Sequence, residues 1–493
     1  MTESLKTRAV KGTLWLSAGR VLSQLFSWAI TIVVARILTP NDYGLMGMAG
    51  LIIILCQYFG DVGLGAALIQ RKDVEDDDLS SIFWFSIAVS LLLYLIAWSV
   101  APALALFFEA EKLTLLVRVL SLSFVIGIMR TIPVSLINRD LAFDKYSKSD
   151  VIATLFAVLT SLFMAVKGFG VWALVSATLT RDVVFNIAIF HYYPWKPVAS
   201  FNWRRLKSFL GFGSNVLGAR MVWVAYSNAD YLIVGKLLGS TLLGYYTMAF
   251  QLASKPVTKV AEITNTISFT LFSRLQDDLP ELRRNFLRLT EIVALLIFPA
   301  LIGLCCVAEE FVITVLTDKW APMVFPLQVF CIMGLFRSLS PLIASMLNGR
   351  GRPGIVFRYN IACALVMPAA FIVGCIAGEL NGVAISWLAV YPPLFFIILG
   401  FGLRETETKI REYIHSISMP FVASSIMAAS VLITKSIFLV GRVGYWPLAA
   451  QCVVGAVTYT IAVFSLSSWV RQQVQEVSTY LRSLRLGKVA VPK

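Results

Sequence analysis

Apolar runs of membrane-spanning length alternate with short polar segments along almost the whole chain. About 20 consecutive apolar residues in a helix cross the hydrocarbon core of a bilayer. Fourteen runs meet this requirement and predict transmembrane helices. They cover residues 14–38, 43–69, 80–108, 113–137, 149–167, 169–193, 209–238, 243–273, 285–308, 322–347, 355–376, 382–403, 417–439 and 445–469. The pattern predicts an all-α integral membrane protein with short connections between its helices.

Composition supports this fold class. Of the 493 residues, 58% are hydrophobic and 14% are charged, and the mean hydropathy is +0.79. Soluble domains contain roughly 25% charged residues and about 45–50% apolar residues, so a water-soluble enzyme, a coiled coil and a disordered chain are excluded. The first apolar run, 14–38, is longer than the apolar core of a signal peptide, and we expect it to remain as the first transmembrane helix.

The distribution of basic residues predicts the orientation. With the N-terminus placed in the cytoplasm, 27 of the 42 lysines and arginines fall in cytoplasmic segments, 7 in external segments or helix ends, and 8 within spans. Cytoplasmic loops of membrane proteins are enriched in Lys and Arg. Both termini are therefore predicted to be cytoplasmic, and the net charge of +14 is attributed to orientation rather than to nucleic-acid binding.

An internal repeat relates the two halves of the chain. Residues 19–49 match 219–249 without a gap at eight positions, including the pairs Arg20/Arg220 and Gly44/Gly244. Six predicted spans separate the two copies, so both have the same orientation in the membrane, as in parallel-repeat transporters. We therefore predict a six-helix lobe over 1–200, a pseudo-symmetric six-helix lobe over 201–403, and two extra helices with a cytoplasmic tail over 404–493. This architecture suits alternating access better than a simple pore.

Charged residues inside the predicted spans are mostly cationic. Because a charge at the bilayer centre is costly, such residues usually face a partner or a wet cavity. The set contains eight cations and four anions, namely Arg20, Arg118, Arg130, Arg181, Asp182, Arg220, Asp230, Lys255, Lys259, Glu262, Glu291 and Arg337. The cationic excess predicts a cavity for an anionic ligand. The candidates for its lining are Arg20, Arg130, Arg220, Lys255, Lys259 and Arg337.

The eighth span carries the densest group of these charges. Lys255, Lys259 and Glu262 lie at positions i, i+4 and i+7 and share one helix face, and Pro256 predicts a bend between them. This face is interpreted as a cavity wall. The alternative is that Glu262 only neutralises Lys259.

Three acidic residues are candidates for H⁺ or Na⁺ coupling or for charge pairing. Asp230, in the seventh span, is the best placed of them, and it is alternatively expected to pair with Arg220 or with a lysine of the eighth span. Asp61, near the cytoplasmic end of the second span, is a further candidate, and Glu262 is the third.

No catalytic or cofactor-binding motif is found in the sequence. The seven cysteines lie in apolar runs without metal-binding spacing and are interpreted as small core residues. The two histidines, His191 and His415, lie near cytoplasmic helix ends and are interpreted as interfacial. Walker A and HExxH motifs are absent, and the glycine-rich stretch 349–354 (GRGRPG) lies in a short loop between predicted helices rather than between a strand and a helix, so it is not interpreted as a phosphate-binding loop. We therefore expect no cofactor, no metal and no enzymatic activity.

Several short stretches resemble the polysaccharide transporter family of the multidrug/oligosaccharidyl-lipid/polysaccharide flippase superfamily. The resemblance rests on 38–44 (LTPNDYG), 61–64 (DVGL), 69–72 (IQRK), 82–84 (IFW), 138–143 (NRDLAF) and 348–350 (NGR). It is strongest to bacterial exporters of the colanic-acid, succinoglycan and teichuronic-acid type. It implies export of an undecaprenyl-pyrophosphate-linked oligosaccharide across the cytoplasmic membrane for exopolysaccharide, capsule or O-antigen assembly, together with assembly proteins such as a polymerase. No site residue is inferred from the family.

Other functions remain as alternatives. A cation-coupled drug exporter of the same superfamily is one, although it would favour an acidic, aromatic cavity. A membrane enzyme that processes glycans would need larger external loops. A non-transporting component of a glycan assembly complex would have no reason to tolerate buried charges.

Overall fold

The computed structural model describes residues 26–60, 75–140, 142–203, 206–207, 227–438, 444–467 and 471–472. These residues form α-helices with short connections, and none of them lies in a β-strand. The helices, in chain order, are α1 Phe26–Ile37, α2 Pro40–Gly60, α3 Asp76–Phe107, α4 Lys112–Leu120, α5 Leu122–Ile128, α6 Thr131–Arg139, α7 Phe143–Val166, α8 Trp172–Tyr192, α9 Ala229–Arg274, α10 Leu279–Cys306, α11 Ala308–Phe311, α12 Val324–Gly349, α13 Pro353–Glu405, α14 Ile410–Phe438 and α15 Tyr445–Leu466. The predicted all-α fold is confirmed.

Two of the longest helices are each a pair of helices joined at a break. The backbone of α9 leaves the helical conformation at Gly239, and that of α13 leaves it at Gly378 and Glu379. Both breaks fall where the sequence predicts a connection between spans. In the described part of the chain, eight helices are long and apolar enough to cross a membrane, or ten if each bent pair counts as one span. The total of fourteen spans stays a prediction.

The chain divides into two compact units. The first comprises residues 1–248 and 360–383, and the second comprises 249–359 and 384–493. The predicted lobe boundaries at 200/201 and 403/404 stay a prediction. In both units large apolar side chains remain exposed on helix surfaces, for example Leu106 and Ile376 in the first and Trp446 in the second. Contact with lipid explains this exposure. Lipid tails are as apolar as the protein core, so an apolar side chain that faces lipid gains no free energy by being buried.

In the first unit, α6, α7 and α8 pack around one small core. Ile137, Ala153, Phe185 and Ile189 form this core and are almost fully buried. The chain reaches α6 through a bend of 41° between residues 112–128 and 131–139. Arg130 occupies the break itself, outside both flanking helices. This packing fixes the position of α8 relative to Arg130.

The internal repeat also appears in the first unit as a reciprocal contact between α2 and α9. A Cβ atom added to Gly44 would overlap the carbonyl oxygen of Ser240, and one added to Gly244 would overlap the carbonyl oxygen of Pro40. Pro40 and Ser240 are themselves equivalent at the 200-residue offset of the repeat. At this contact the two backbones come as close together as glycine allows. Each glycine of the repeat faces the position that is equivalent to the one faced by the other glycine.

We expect Gly44→Ala to destabilise the protein, because the new methyl group would have to displace a backbone carbonyl rather than a flexible side chain. Overpacking of this kind costs about 1–3 kcal/mol. The midpoint of thermal unfolding of the purified protein in detergent measures the effect. Gly50→Ala is the matched control on the same helix, because no atom lies within 4 Å of the position of its added Cβ. Equal midpoints for the two variants would contradict the close approach.

Candidate functional site

The structure describes six of the nine candidate residues. Arg20, Asp61 and Arg220 lie outside the described residues, and their assigned roles stay predictions. The six others are Arg130 and Asp230 in the first unit and Lys255, Lys259, Glu262 and Arg337 in the second.

Arg130 has a carboxylate partner. Its Nη1 donates a hydrogen bond of 2.7 Å to Oδ1 of Asp182, and its guanidinium carbon lies 5.2 Å from the centre of the Phe185 ring. The Asp182 side chain is only 8% exposed, so this is a largely buried ion pair between the α5–α6 break and the middle of α8. Asp182 therefore neutralises Arg130, and the place of Arg130 in the lining of a substrate cavity stays a prediction.

Lys259 and Glu262 form the local pair that the sequence left open as the alternative. Nζ of Lys259 donates to Oε2 of Glu262 at 3.0 Å, and about two thirds of each side chain is exposed. Residues three apart on a helix are neighbours on its surface, which makes this contact easy to form. Lys259 is therefore paired with an acid, and its place in a cavity wall stays a prediction.

Asp230 is fully buried at the start of α9. Its Oδ2 accepts a hydrogen bond of 2.5 Å from the Tyr246 hydroxyl, and its Oδ1 accepts from the Tyr231 backbone N–H at 2.9 Å. Tyr246 lies beyond the Gly239 break, so the aspartate connects the two helical parts of α9. A role of Asp230 in ion coupling stays a prediction.

Arg337, at the middle of α12, contacts aromatic rings instead of an acid. Its guanidinium carbon lies 4.6 Å from the ring centre of Phe250 and 5.8 Å from that of Trp387, and Nη1 donates to Oγ of Ser254 at 3.1 Å. Among the described residues, no carboxylate lies within ion-pairing distance of it. Cation–π contacts hold the guanidinium in place without neutralising its charge.

The aromatic side chains around Arg337 form a connected group in the second unit. Phe250 and Trp387 are 5.9 Å apart between ring centres, and Trp387 and Tyr391 are 5.7 Å apart. The Tyr391 hydroxyl is hydrogen-bonded to Ser340 on α12 at 2.9 Å. All three rings are largely buried, which fixes the plane on which the guanidinium lies.

Lys255 follows Ser254, the residue that binds Arg337, on α9. Its side chain is partly buried, and its ammonium group has no hydrogen-bond or ion-pair partner in the described part of the chain. Burial of an ammonium group without a partner is unfavourable. We use the term basic cluster for Arg337 and Lys255, the two candidate cations that no described carboxylate neutralises.

The basic cluster has the donors that an acidic ligand requires. The planar guanidinium can bind two oxygens of a phosphate at once, while the ammonium group supplies a compact positive charge. Because no carboxylate in the described part of the chain pairs with these groups, ligand oxygens would not have to displace an ion pair formed by the described residues.

Sequence reasoning missed several partners of the candidate residues. Asp182 was recognised as an intramembrane charge but not as the partner of Arg130, and Phe250, Ser254 and Trp387 gave no signal at all. A signal for Asp182 is present in retrospect. It lies at the middle of its predicted span, where a carboxylate without a partner is costly and a cation on another helix is therefore expected.

Comparison with known proteins places these observations in a family. A family model described as "Polysaccharide biosynthesis protein" matches residues 33–325. The teichuronic acid biosynthesis protein TuaB of Bacillus subtilis is 27% identical over 431 residues, which are 86% of this chain and 88% of the relative.

Solved transporters share the fold. The lipid II flippase MurJ, in an inward closed conformation, matches with a TM-score of 0.72 and 15% identity over 91% of this chain and 98% of that protein. A multidrug resistance MATE family transporter of the MOP superfamily, in an inward-facing conformation, matches with a TM-score of 0.60 and 15% identity over 78% of this chain and 96% of that protein. The resemblance to polysaccharide transporters and the transporter fold are therefore confirmed.

Proposed function

Because the chain belongs to the polysaccharide biosynthesis protein family, we propose that it is a flippase for a lipid-linked oligosaccharide. In this proposal it moves undecaprenyl-pyrophosphate-linked repeat units from the cytoplasmic to the outer leaflet of the bacterial cytoplasmic membrane. The units then serve exopolysaccharide, capsule or O-antigen assembly. The protein acts as a secondary transporter and not as an enzyme.

The observation that carries this proposal is that Arg337 and Lys255 have no carboxylate partner among the residues that the structure describes. A polyprenyl pyrophosphate has an apolar tail that can stay in the bilayer and an acidic head that cannot cross hydrocarbon unaided. Mid-helix cations that no described carboxylate neutralises would stabilise that head during its passage. A cationic drug would be repelled by the same two charges, which weighs against the multidrug exporter despite the shared fold.

Several features of the proposed mechanism rest on the sequence. Arg20 and Arg220, at equivalent positions of the repeat, would line the same passage between lobes 1–200 and 201–403. Both termini would be cytoplasmic. A gradient of H⁺ or Na⁺ would drive turnover through Asp61, Asp230 or Glu262, and a polymerase or other assembly protein would receive the product.

Transport by the purified protein in vesicles tests the proposal. A fluorescent polyprenyl-pyrophosphate oligosaccharide is incorporated with the protein, and an impermeant quencher measures how much of it changes leaflet with time. We expect movement well above that in protein-free vesicles. A fluorescent cationic drug in the same vesicles serves as the competing substrate. Transport of the drug without transport of the lipid would overturn the proposal in favour of a drug exporter.

A further inference from the structure

A second basic site lies in the second unit, on helices other than those of the basic cluster. The ends of α10, α14 and α15 enclose a cavity of about 860 Å³. The three helices are held together by a core that includes Ala423, Ala462 and Val463, so the cavity walls are fixed by packing. Under the predicted topology these three helix ends lie on one side of the membrane.

One part of this cavity is lined by basic side chains. Arg284 and Arg288 come from α10, and Arg411 and His415 come from α14. Three of these residues are arginines with exposed side chains. The guanidinium group of Arg411 has no hydrogen-bond or ion-pair partner among the residues that the structure describes. The cavity therefore presents at least one arginine whose donors are available to a ligand.

The acidic residues of the cavity do not cancel this charge. Glu412 is paired with Arg283, which lies outside the cavity lining. Glu291 is half-buried and interacts electrostatically with both Arg288 and His415. Arg284 pairs with Glu281 at 2.7 Å. Arg411, which none of these acidic residues pairs with, is therefore the arginine at which an anion would bind.

Apolar side chains also line the cavity. Leu287, Met419 and Leu466 contribute to it, one from each of the three helices, together with three serines. A cavity lined by both arginines and apolar side chains matches a molecule with a phosphate head and hydrocarbon chains. Basic pockets between transmembrane helices are known to bind the acidic headgroups of lipids.

We propose that this cavity binds the phosphate headgroup of an anionic phospholipid of the surrounding bilayer. Arg411 binds the phosphate oxygens, and Leu287, Met419 and Leu466 contact the beginning of the acyl chains. Two of the three helices, α14 and α15, lie beyond the segment 33–325 that matches the family model. The bound lipid therefore stabilises the packing of these last helices on α10, independently of the transported substrate.

Thermal unfolding of the full-length protein in a neutral detergent tests the proposal. Phosphatidylglycerol is added in one series, phosphatidylcholine in a second and sodium phosphate in a third. A ligand that binds only the folded state raises the unfolding midpoint. We expect a concentration-dependent rise with phosphatidylglycerol and a much smaller one with the other two. Equal rises with phosphatidylcholine would overturn the proposal, and a full rise with sodium phosphate would replace the lipid by a free anion.

Variants of Arg411 locate the site. Loss of a charged hydrogen bond costs about 1.5–3 kcal/mol, so we expect Arg411→Gln to weaken phosphatidylglycerol binding roughly 10- to 150-fold. Arg411→Lys should retain part of the affinity because it keeps the charge. Arg411 is exposed, and both variants are expected to fold. Arg358→Gln is the matched control, because Arg358 is an exposed arginine on α13 that does not line the cavity. Equal lipid affinity in Arg411→Gln and Arg358→Gln would contradict the assignment.

Discussion

Replacing Arg337 by glutamine is expected to weaken binding of a polyprenyl-pyrophosphate oligosaccharide roughly 10- to 150-fold, since a charged hydrogen bond contributes about 1.5–3 kcal/mol. The glutamine amide can still bond to Ser254 and pack between Phe250 and Trp387, so the fold should survive. The charge that attracts the pyrophosphate would be lost. Binding to the detergent-purified variant and transport in vesicles should both decrease, while the unfolding midpoint should change little.

Two further variants separate the charge of Arg337 from its shape. Arg337→Lys keeps the positive charge but cannot bind two phosphate oxygens in one plane, and we expect intermediate affinity. Arg118→Gln is the matched control. Arg118 also lies over an aromatic ring, 4.5 Å from the centre of Trp98, and has no carboxylate partner in the described part of the chain. It lies near the predicted outer end of its span, however, and should not contact the pyrophosphate. Unchanged affinity in Arg337→Gln would remove this residue from the substrate site.

The helical framework was predictable because its determinants are local. A long apolar run needs no knowledge of its neighbours to be a helix in a membrane, since every backbone group must be satisfied within the segment. The repeat was detectable for a related reason. Its equivalent residues include Gly44 and Gly244, which must stay small because each approaches a backbone carbonyl.

The pairing of the intramembrane charges was not predictable from spacing alone. Lys259 and Glu262 are three residues apart on one helix, and this spacing is enough for the sequence to offer their pairing as the alternative to a cavity wall. Arg130 and Asp182 lie on different elements, and their contact depends on the rotation and relative height of two packed helices. A shift of one residue in either helix would turn a side chain by about 100° and separate the two groups.

The two halves of the chain differ in how they hold an arginine on comparable spans. Arg130 of the fourth predicted span is bound to Asp182 of the sixth, whereas Arg337 of the tenth contacts Trp387 of the twelfth. In the second half an aromatic ring therefore contacts the arginine, whereas in the first half a carboxylate binds it. A cation–π contact leaves the positive charge of the guanidinium available to a ligand, whereas an ion pair neutralises most of that charge. This asymmetry favours a structural role for Arg130 and makes Arg337 the stronger candidate for binding.

The structural role of Arg130 leads to the second large expected effect. Asp182→Ala would leave the guanidinium in a largely buried position without its carboxylate, and breaking one partner of such a pair costs about 3–5 kcal/mol. We expect a marked fall in the unfolding midpoint and in the amount of folded protein recovered from membranes. Both are measured on detergent-purified protein by a fluorescence unfolding assay and by size-exclusion chromatography.

A double variant shows whether the loss of stability in Asp182→Ala arises from the unpaired charge of Arg130. Arg130→Met combined with Asp182→Leu removes both charges and fills a similar volume, and replacements of this kind are often close to neutral. The double variant should therefore be more stable than Asp182→Ala alone.

Glu109→Ala is the control for loss of an exposed pair. Glu109 lies in a connection between helices and binds Lys236 at 2.8 Å, a contact that lowers the pKa of the carboxyl group. Because such exposed pairs contribute little, its unfolding midpoint should stay close to that of the unaltered protein. If Asp182→Ala were as stable as Glu109→Ala, Arg130 would not depend on its buried partner, and its charge would again be available for the substrate.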